Sequence, residues 1–135
     1  MRIRTSKIRN ENSEAGDLHF IEGQSDIPFD IQRIYYLSSV PSGQNRGGHA
    51  HKKLEQFFVC LAGSFRIRFR DGIVDKTFQF TANSEGVYVP QMIWRDLFDF
   101  SEGAVCLVLA SQKYDADDYI HDFSNFLEIK EKNYD

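Results

Sequence analysis

The side chains best able to do chemistry are crowded into one stretch, Gly43 to Gln56, which holds Arg46, His49, His51, Lys52 and Glu55. In an extended strand, residues two apart point to the same side, so His49 and His51 share one face. Two imidazoles facing an interior serve as metal ligands, as acid–base groups or as hydrogen-bonded core residues. In the acid–base role one of them would need a pKa near neutrality. Arg46 and Lys52 flank the pair and are the nearest cations for a phosphate. Arg33 and Tyr35 also share a strand face by alternation, with Tyr36 pointing the other way.

Short stretches of strand character must position these groups. They run over 2–8, 16–22, 31–37, 55–62, 64–70, 73–80, 86–89, 93–100 and 104–110, with turn signals between them. Twelve Phe, six Tyr and one Trp reinforce the β reading. The pattern predicts one all-β domain over residues 1–135, a sandwich or barrel. Phe65, Ile67 and Phe69 alternate with Arg66, Arg68 and Arg70, so one face is buried and the arginine face is wet. Asp71-Gly72 reads as a two-residue hairpin turn with both residues at positive φ. Tyr119, Ile120, Phe123, Phe126 and Leu127 recur at helical spacing behind the acidic run at 115–118, which predicts a short C-terminal helix. Trp94 reads as core.

Composition excludes several function classes. Sixteen basic against twenty acidic residues give a net charge of −4, so no nucleic-acid partner is expected. The longest apolar run, 104–110, is too short to cross a bilayer, so no membrane is expected either. The first twenty residues are charged and lack the apolar core of a secretory signal. Cys60 and Cys106 sit inside apolar runs and read as buried, reduced thiols, which points to a cytoplasmic protein.

The order Gly43, five residues, His49-Ala50-His51, three residues, Glu55, then Gly63 resembles the first motif of the cupins. Cupin metal sites use those two His, that Glu and a further His from a second motif. Here the matching stretch, 86–95, keeps Pro90 but carries Arg95 where the His belongs. A guanidinium stays protonated and is no ordinary metal ligand, so neither metal nor cofactor is expected. Arg46-Gly47-Gly48-His49-Ala50-His51-Lys52, followed by Leu54-Glu55-Gln56, resembles the signature of the dTDP-4-oxo-6-deoxyglucose 3,4-ketoisomerases. Gly16-Asp17-Leu18, Ile27-Pro28-Phe29, Arg33-Ile34-Tyr35-Tyr36, Leu109-Ala110-Ser111 and Tyr114-Asp115 extend the likeness along nearly the whole chain. More distantly the chain resembles the dTDP-sugar 3,5-epimerases.

This resemblance implies a cupin-type jelly-roll β-barrel with a short C-terminal helix. It implies 3,4-ketoisomerisation of a dTDP-linked 4-keto-6-deoxyhexose through an enediol(ate), in deoxyaminosugar biosynthesis. His49 is then the base and His51 the second acid–base group or the orienter of His49. Arg33 and Tyr35 line the sugar end, Arg46 and Lys52 meet the phosphates, and Arg95 reaches in from another strand. A homodimer is implied, often with N-terminal strands exchanged, here 2–8. A 3,5-epimerase and a non-catalytic sugar-nucleotide-binding cupin remain the alternatives. Ala15 stands where the epimerases carry an Arg, and Arg95 replaces an imidazole that exchanges a proton with C4. The product is therefore expected to be gluco-configured at C4.

Overall fold

A computed structural model describes residues 1–133 of the chain. Alternation along its strands sets the architecture. In β7 (Ser64–Arg70), Phe65, Ile67 and Phe69 are buried. The intervening arginines face out, where Arg68 and Arg70 meet Asp75 and Asp96 at 2.5 and 3.0 Å. This strand pairs with β8 (Asp75–Thr81) and with β10 (Trp94–Phe98). Beyond β10 come β5 (Arg46–His51) and β12 (Tyr119–Ile120), which complete a five-stranded antiparallel sheet. The opposing sheet runs β1 (Arg4–Ser6), β9 (Gly86–Val89), β6 (Gln56–Ala62), β11 (Val105–Ala110) and β4 (Arg33–Ser38). A separate hairpin joins β2 (Arg9–Ser13) to β3 (Gly16–Phe20). The result is the expected jelly roll: two sheets packed face to face, with one helix, α1 (Phe123–Asn133), at the C-terminal end.

Aromatic side chains fill the space between the sheets. Phe65 stacks on Phe80 at 4.9 Å and on Phe100 at 5.4 Å, and Phe58, Ile67, Leu97 and Val108 close the same cluster. Each such side chain contributes about 1.5–3 kcal/mol by leaving water. Ile27 and Phe29 cover the outer side of the opposing sheet, β1-β9-β6-β11-β4, packing on Phe57, Val59 and Leu109. Trp94 is core, as expected, set against Phe126 of α1. Cys60 and Cys106 are buried, free and in register on adjacent strands.

Three expectations need correction. The β7–β8 connection is a four-residue loop, since Arg70 pairs with Asp75 and only Gly72 has positive φ. The Asp71 carboxylate opens the turn by accepting the N–H groups of Ile73 and Val74 at 2.9 and 2.8 Å. Second, Tyr119 and Ile120 are not helical. They extend along β5 as β12, and the helix starts after Asp122, whose carboxylate accepts the N–H of Asn125 at 2.9 Å. Third, the N-terminal strand is shorter than 2–8. Charged and polar residues then form β2, where every residue is exposed and no hydrophobic alternation betrays the strand.

Gly47 sets the path of β5. It has a φ of +87°, and a Cβ there would lie 3.0 Å from both the Arg95 carbonyl and the Leu97 side chain. Only glycine lets β5 approach β10 this closely, and a bulge lies in that pairing between Arg95 and Asp96. Gly47→Ala is expected to cost about 2–4 kcal/mol. Gly43→Ala, with a φ of +82° but nothing within 4 Å of the added Cβ, should cost only about 1 kcal/mol. Urea denaturation of the two variants checks this. Equal losses would mean that backbone strain alone, and not the approach to β10, requires Gly47.

Candidate active site

At one end of the barrel the inward side chains change from aromatic to polar. Register places Arg95 of β10 directly opposite His49 of β5, so both side chains enter the barrel side by side. From the facing sheet, β4 sends in Arg33 and Tyr35. These four, with Arg46, Asn45 and Tyr119, line a cavity of about 400 Å³. That volume suits a small-molecule site.

Arg95 is 1% exposed. One of its terminal nitrogens donates to Gln56 Oε1 and the other to the carbonyl of Ile93 at 2.9 Å, while its Nε–H has no partner among the described residues. No carboxylate forms an ion pair with it among the described residues. Burial pushes its pKa down to about 10, which still leaves the guanidinium charged at neutral pH. Gln56 also donates to Tyr35 Oη at 2.8 Å, so the tyrosine O–H remains free to donate. Burial raises the Tyr35 pKa, and the phenol keeps its proton.

The two histidines differ in their surroundings. His49 is half-buried and lines the cavity. Burial first, and the Arg95 cation second, push its pKa down to about 4, so the ring is neutral and can accept a proton. His51 lies behind it, 1% exposed, with ring centroids 4.9 Å apart at an interplanar angle of 87°. It is absent from the cavity wall. Its Nδ1 lies 3.1 Å from Asp118 Oδ2. Burial, reinforced by Arg95, pushes the His51 pKa down to about 2, so Nδ1–H donates to the carboxylate as part of a neutral ring.

Most of the expected residues converge here: Arg33, Tyr35, Arg46, His49 and Arg95 all line the cavity. Lys52 does not. It follows the last residue of β5, its side chain is exposed, and its backbone N–H is tied to the Asp118 carbonyl at 2.9 Å. Glu55 also turns away, accepting the Tyr88 hydroxyl at 2.5 Å on the far side of the sheet. The sequence reading missed Asp118 and Tyr119. The Tyr119 ring packs 4.9 Å from His49 and 4.5 Å from His51. A two-residue strand leaves no periodicity to read, and Tyr119 falls instead into the helical stripe that follows. The cupin metal set does not fit these residues: Glu55 points away, Arg95 brings a buried positive charge, and no three His, Cys, Asp or Glu converge among the described residues.

The FdtA family (WxcM-like, C-terminal) matches residues 1–131. The chain belongs to this family. A TDP-4-oxo-6-deoxy-alpha-D-glucose-3,4-oxoisomerase from Aneurinibacillus thermoaerophilus is 43% identical over 111 residues, covering 82% of this chain and 80% of that protein. Among solved structures, a mutant of a 3,4-ketoisomerase from Thermoanaerobacterium thermosaccharolyticum, in complex with TDP-4-keto-6-deoxyglucose, superposes with a TM-score of 0.92. It is 39% identical over 98% of this chain and 96% of its own. A 3'-monoepimerase from Streptomyces bikiniensis, 16% identical, shares the fold with a TM-score of 0.75 over 87% of this chain and 67% of its own. No helix among the described residues is long and apolar enough to cross a membrane.

Neutral, buried histidines have a consequence for stability. The unfolded chain takes up protons on His49 and His51 below their ordinary value of about 6.5, whereas the folded site resists until about pH 4 for His49. Between these limits the unfolded state binds more protons, so stability falls as pH falls and recovers as it rises. In an NMR titration, the assigned ring resonances of His49 and His51 are expected to stay in place from pH 8 to pH 5.5. A midpoint near 6.5 for His49 would contradict a desolvated base beside Arg95.

Proposed function

We propose that the chain is an isomerase that converts a dTDP-linked 4-keto-6-deoxyhexose to its 3-keto isomer, with His49 as the base. The observation that carries this reading is the pairing of a neutral His49 with the buried Arg95 cation in one cavity, opposite a phenol from the other sheet.

The carbonyl at C4 acidifies the proton on C3. His49 removes it, O4 takes up a proton, and the charge that develops on the enediolate oxygens is steadied by Arg95. Return of a proton to C4 and loss of the O3 proton leave the ketone at C3. No redox partner is consumed. In a gluco-configured product the new C4 hydrogen lies on the face opposite the hydrogen lost from C3. One base on one side cannot deliver it. Tyr35 enters from β4, in the sheet facing His49, and its free O–H makes it the donor to C4. This supports the gluco product.

Arg46 lines both this cavity and an adjoining one of about 480 Å³ walled by Tyr36, Pro41 and Gln44. A sugar in the first and a nucleoside in the second would put their linking diphosphate at the Arg46 guanidinium. Lys52 has no part in this arrangement. A homodimer fits the exposed apolar side chains of Ile34, Tyr36 and Leu61 on the outer face of the sheet that holds β4 and β6. Buried free thiols at Cys60 and Cys106 suit a reducing cytoplasm, where the enzyme would serve deoxyaminosugar synthesis.

Incubation with dTDP-4-keto-6-deoxyglucose in deuterated water, followed by NMR, tests the reading. The wild-type protein is expected to give a 3-keto product with the gluco configuration and deuterium at C4. His49→Asn should give neither product nor exchange at C3. Tyr35→Phe should slow product formation by roughly 10²–10⁴-fold while exchange at C3 persists. A galacto product would remove Tyr35 from its role but leave His49 in place. Label at C3 and C5 without a shift of the ketone would establish 3,5-epimerisation. Binding without any exchange would identify a non-catalytic sugar-nucleotide-binding cupin.

A further inference from the structure

Asp118 is remote in sequence from the His motif, yet it closes that motif on three sides. Its carboxylate is 7% exposed. Oδ1 accepts the N–H of Lys53 at 2.8 Å, and Oδ2 accepts the N–H of Leu54 at 3.3 Å and meets His51 Nδ1 at 3.1 Å. Its own backbone carbonyl accepts the N–H of Lys52 at 2.9 Å. The carboxylate partners are two backbone N–H groups and an imidazole nitrogen, and two of the three can only donate. The carboxylate therefore serves as the acceptor of this cluster.

The position of Asp118 is itself held. Asp115 starts a 3₁₀ turn over Ala116–Asp118, with its carboxylate accepting the Asp117 N–H at 3.0 Å. The turn delivers the chain into β12, where Tyr119 pairs with His51 and packs on both imidazoles. From the other side, the Met92 N–H donates to the His51 carbonyl at 2.8 Å. The His51 ring is therefore gripped at its backbone, its face and one nitrogen. The nitrogen that carries the proton is fixed by its partner: Nδ1–H points at the carboxylate, and Nε2 keeps its lone pair.

We propose that Asp118 is a positioning residue of the isomerisation, which fixes the tautomer and orientation of His51 so that its neutral ring, 4.9 Å from His49 at 87°, holds that base in place. The proposal rests on the ketoisomerase reading for its consequence in turnover, but not for the tautomer. Asp118 touches no substrate, because it lies behind His51 and outside the cavity wall. Its loss should lower kcat and leave binding alone.

The test compares Asp118→Asn, Asp118→Glu and, as a control on the same turn, Asp117→Asn. Imidazole ¹⁵N shifts of His51, read without substrate, should show Nδ1–H in the wild type. In Asp118→Asn the side-chain amide can donate to Nδ1, so the proton should move to Nε2. The kcat of this variant should fall by roughly 10–100-fold, with KM and binding of TDP unchanged. Asp118→Glu, which keeps a carboxylate, should retain the wild-type tautomer and recover part of kcat. Asp117→Asn should match the wild type in every readout. An unchanged tautomer with unchanged kcat in Asp118→Asn would overturn the proposal. So would equal loss of kcat and of TDP binding in the Asn and Glu variants, which would reduce Asp118 to a clamp on the loop after β5. A wild-type protein with the Nδ1–H tautomer but no turnover would instead refute the ketoisomerase reading.

Discussion

The site is organised around a positive charge that has no business being dry. A guanidinium taken out of water costs several kcal/mol unless its hydrogen bonds and charge are compensated. Arg95 receives two oxygen acceptors, from Gln56 and Ile93, the ring face of Phe58 at 5.9 Å, and no ion-paired carboxylate among the described residues. The rest of the charge is left to whatever occupies the cavity. That single fact sets the electrostatics of its neighbours. Burial first, and the same cation second, hold His49 and His51 neutral, and the cation favours an anion in the cavity over a second cation. In the proposed reaction a base weakened by burial and by Arg95 would act on a C–H bond that Arg95 would make more acidic, because the guanidinium would stabilise the enediolate more than the ketone.

Such a charge is tolerable because the barrel divides its labour along its length. One end is packed with Phe65, Phe80 and Phe100 and supplies stability without polar atoms. The other carries Arg33, Tyr35, His49 and Arg95 and leaves a cavity. Gly47 joins the two, since its bare α-carbon lets β5 come close enough to β10 for His49 and Arg95 to stand side by side. Gln56 binds the polar end into one network, donating to Tyr35 while accepting from Arg95.

Much of this was legible in the sequence, for identifiable reasons. The expected limits of β7 and β9 match the structure because buried and exposed residues alternate in the first and apolar residues fill the second. His49 and Arg95 were found through motif spacing, and register then brought them together. What could not be read rests on contacts between residues far apart in the chain. Lys52 looked like a phosphate ligand by adjacency, but the strand ends at His51 and the next residue turns outward. Tyr119 and Ile120 fit a helical stripe as well as they fit a strand, and only the free edge of β5 decides between them. Asp118 lies 67 positions from His51, and nothing local announces that its carboxylate ends beside an imidazole.

The cavity draws its walls from β4, β5, β10 and β12, so no two neighbouring strands hold it by themselves. Chemistry therefore cannot precede closure of the barrel. A partly folded chain with every hairpin formed still has no place for a sugar, because Tyr119 arrives only when the last short strand docks on β5. Loop-closure entropy makes such long-range pairing slow relative to hairpin formation. Recovery of turnover during refolding should thus lag behind recovery of sheet structure, and its rate would report the docking of a strand two residues long.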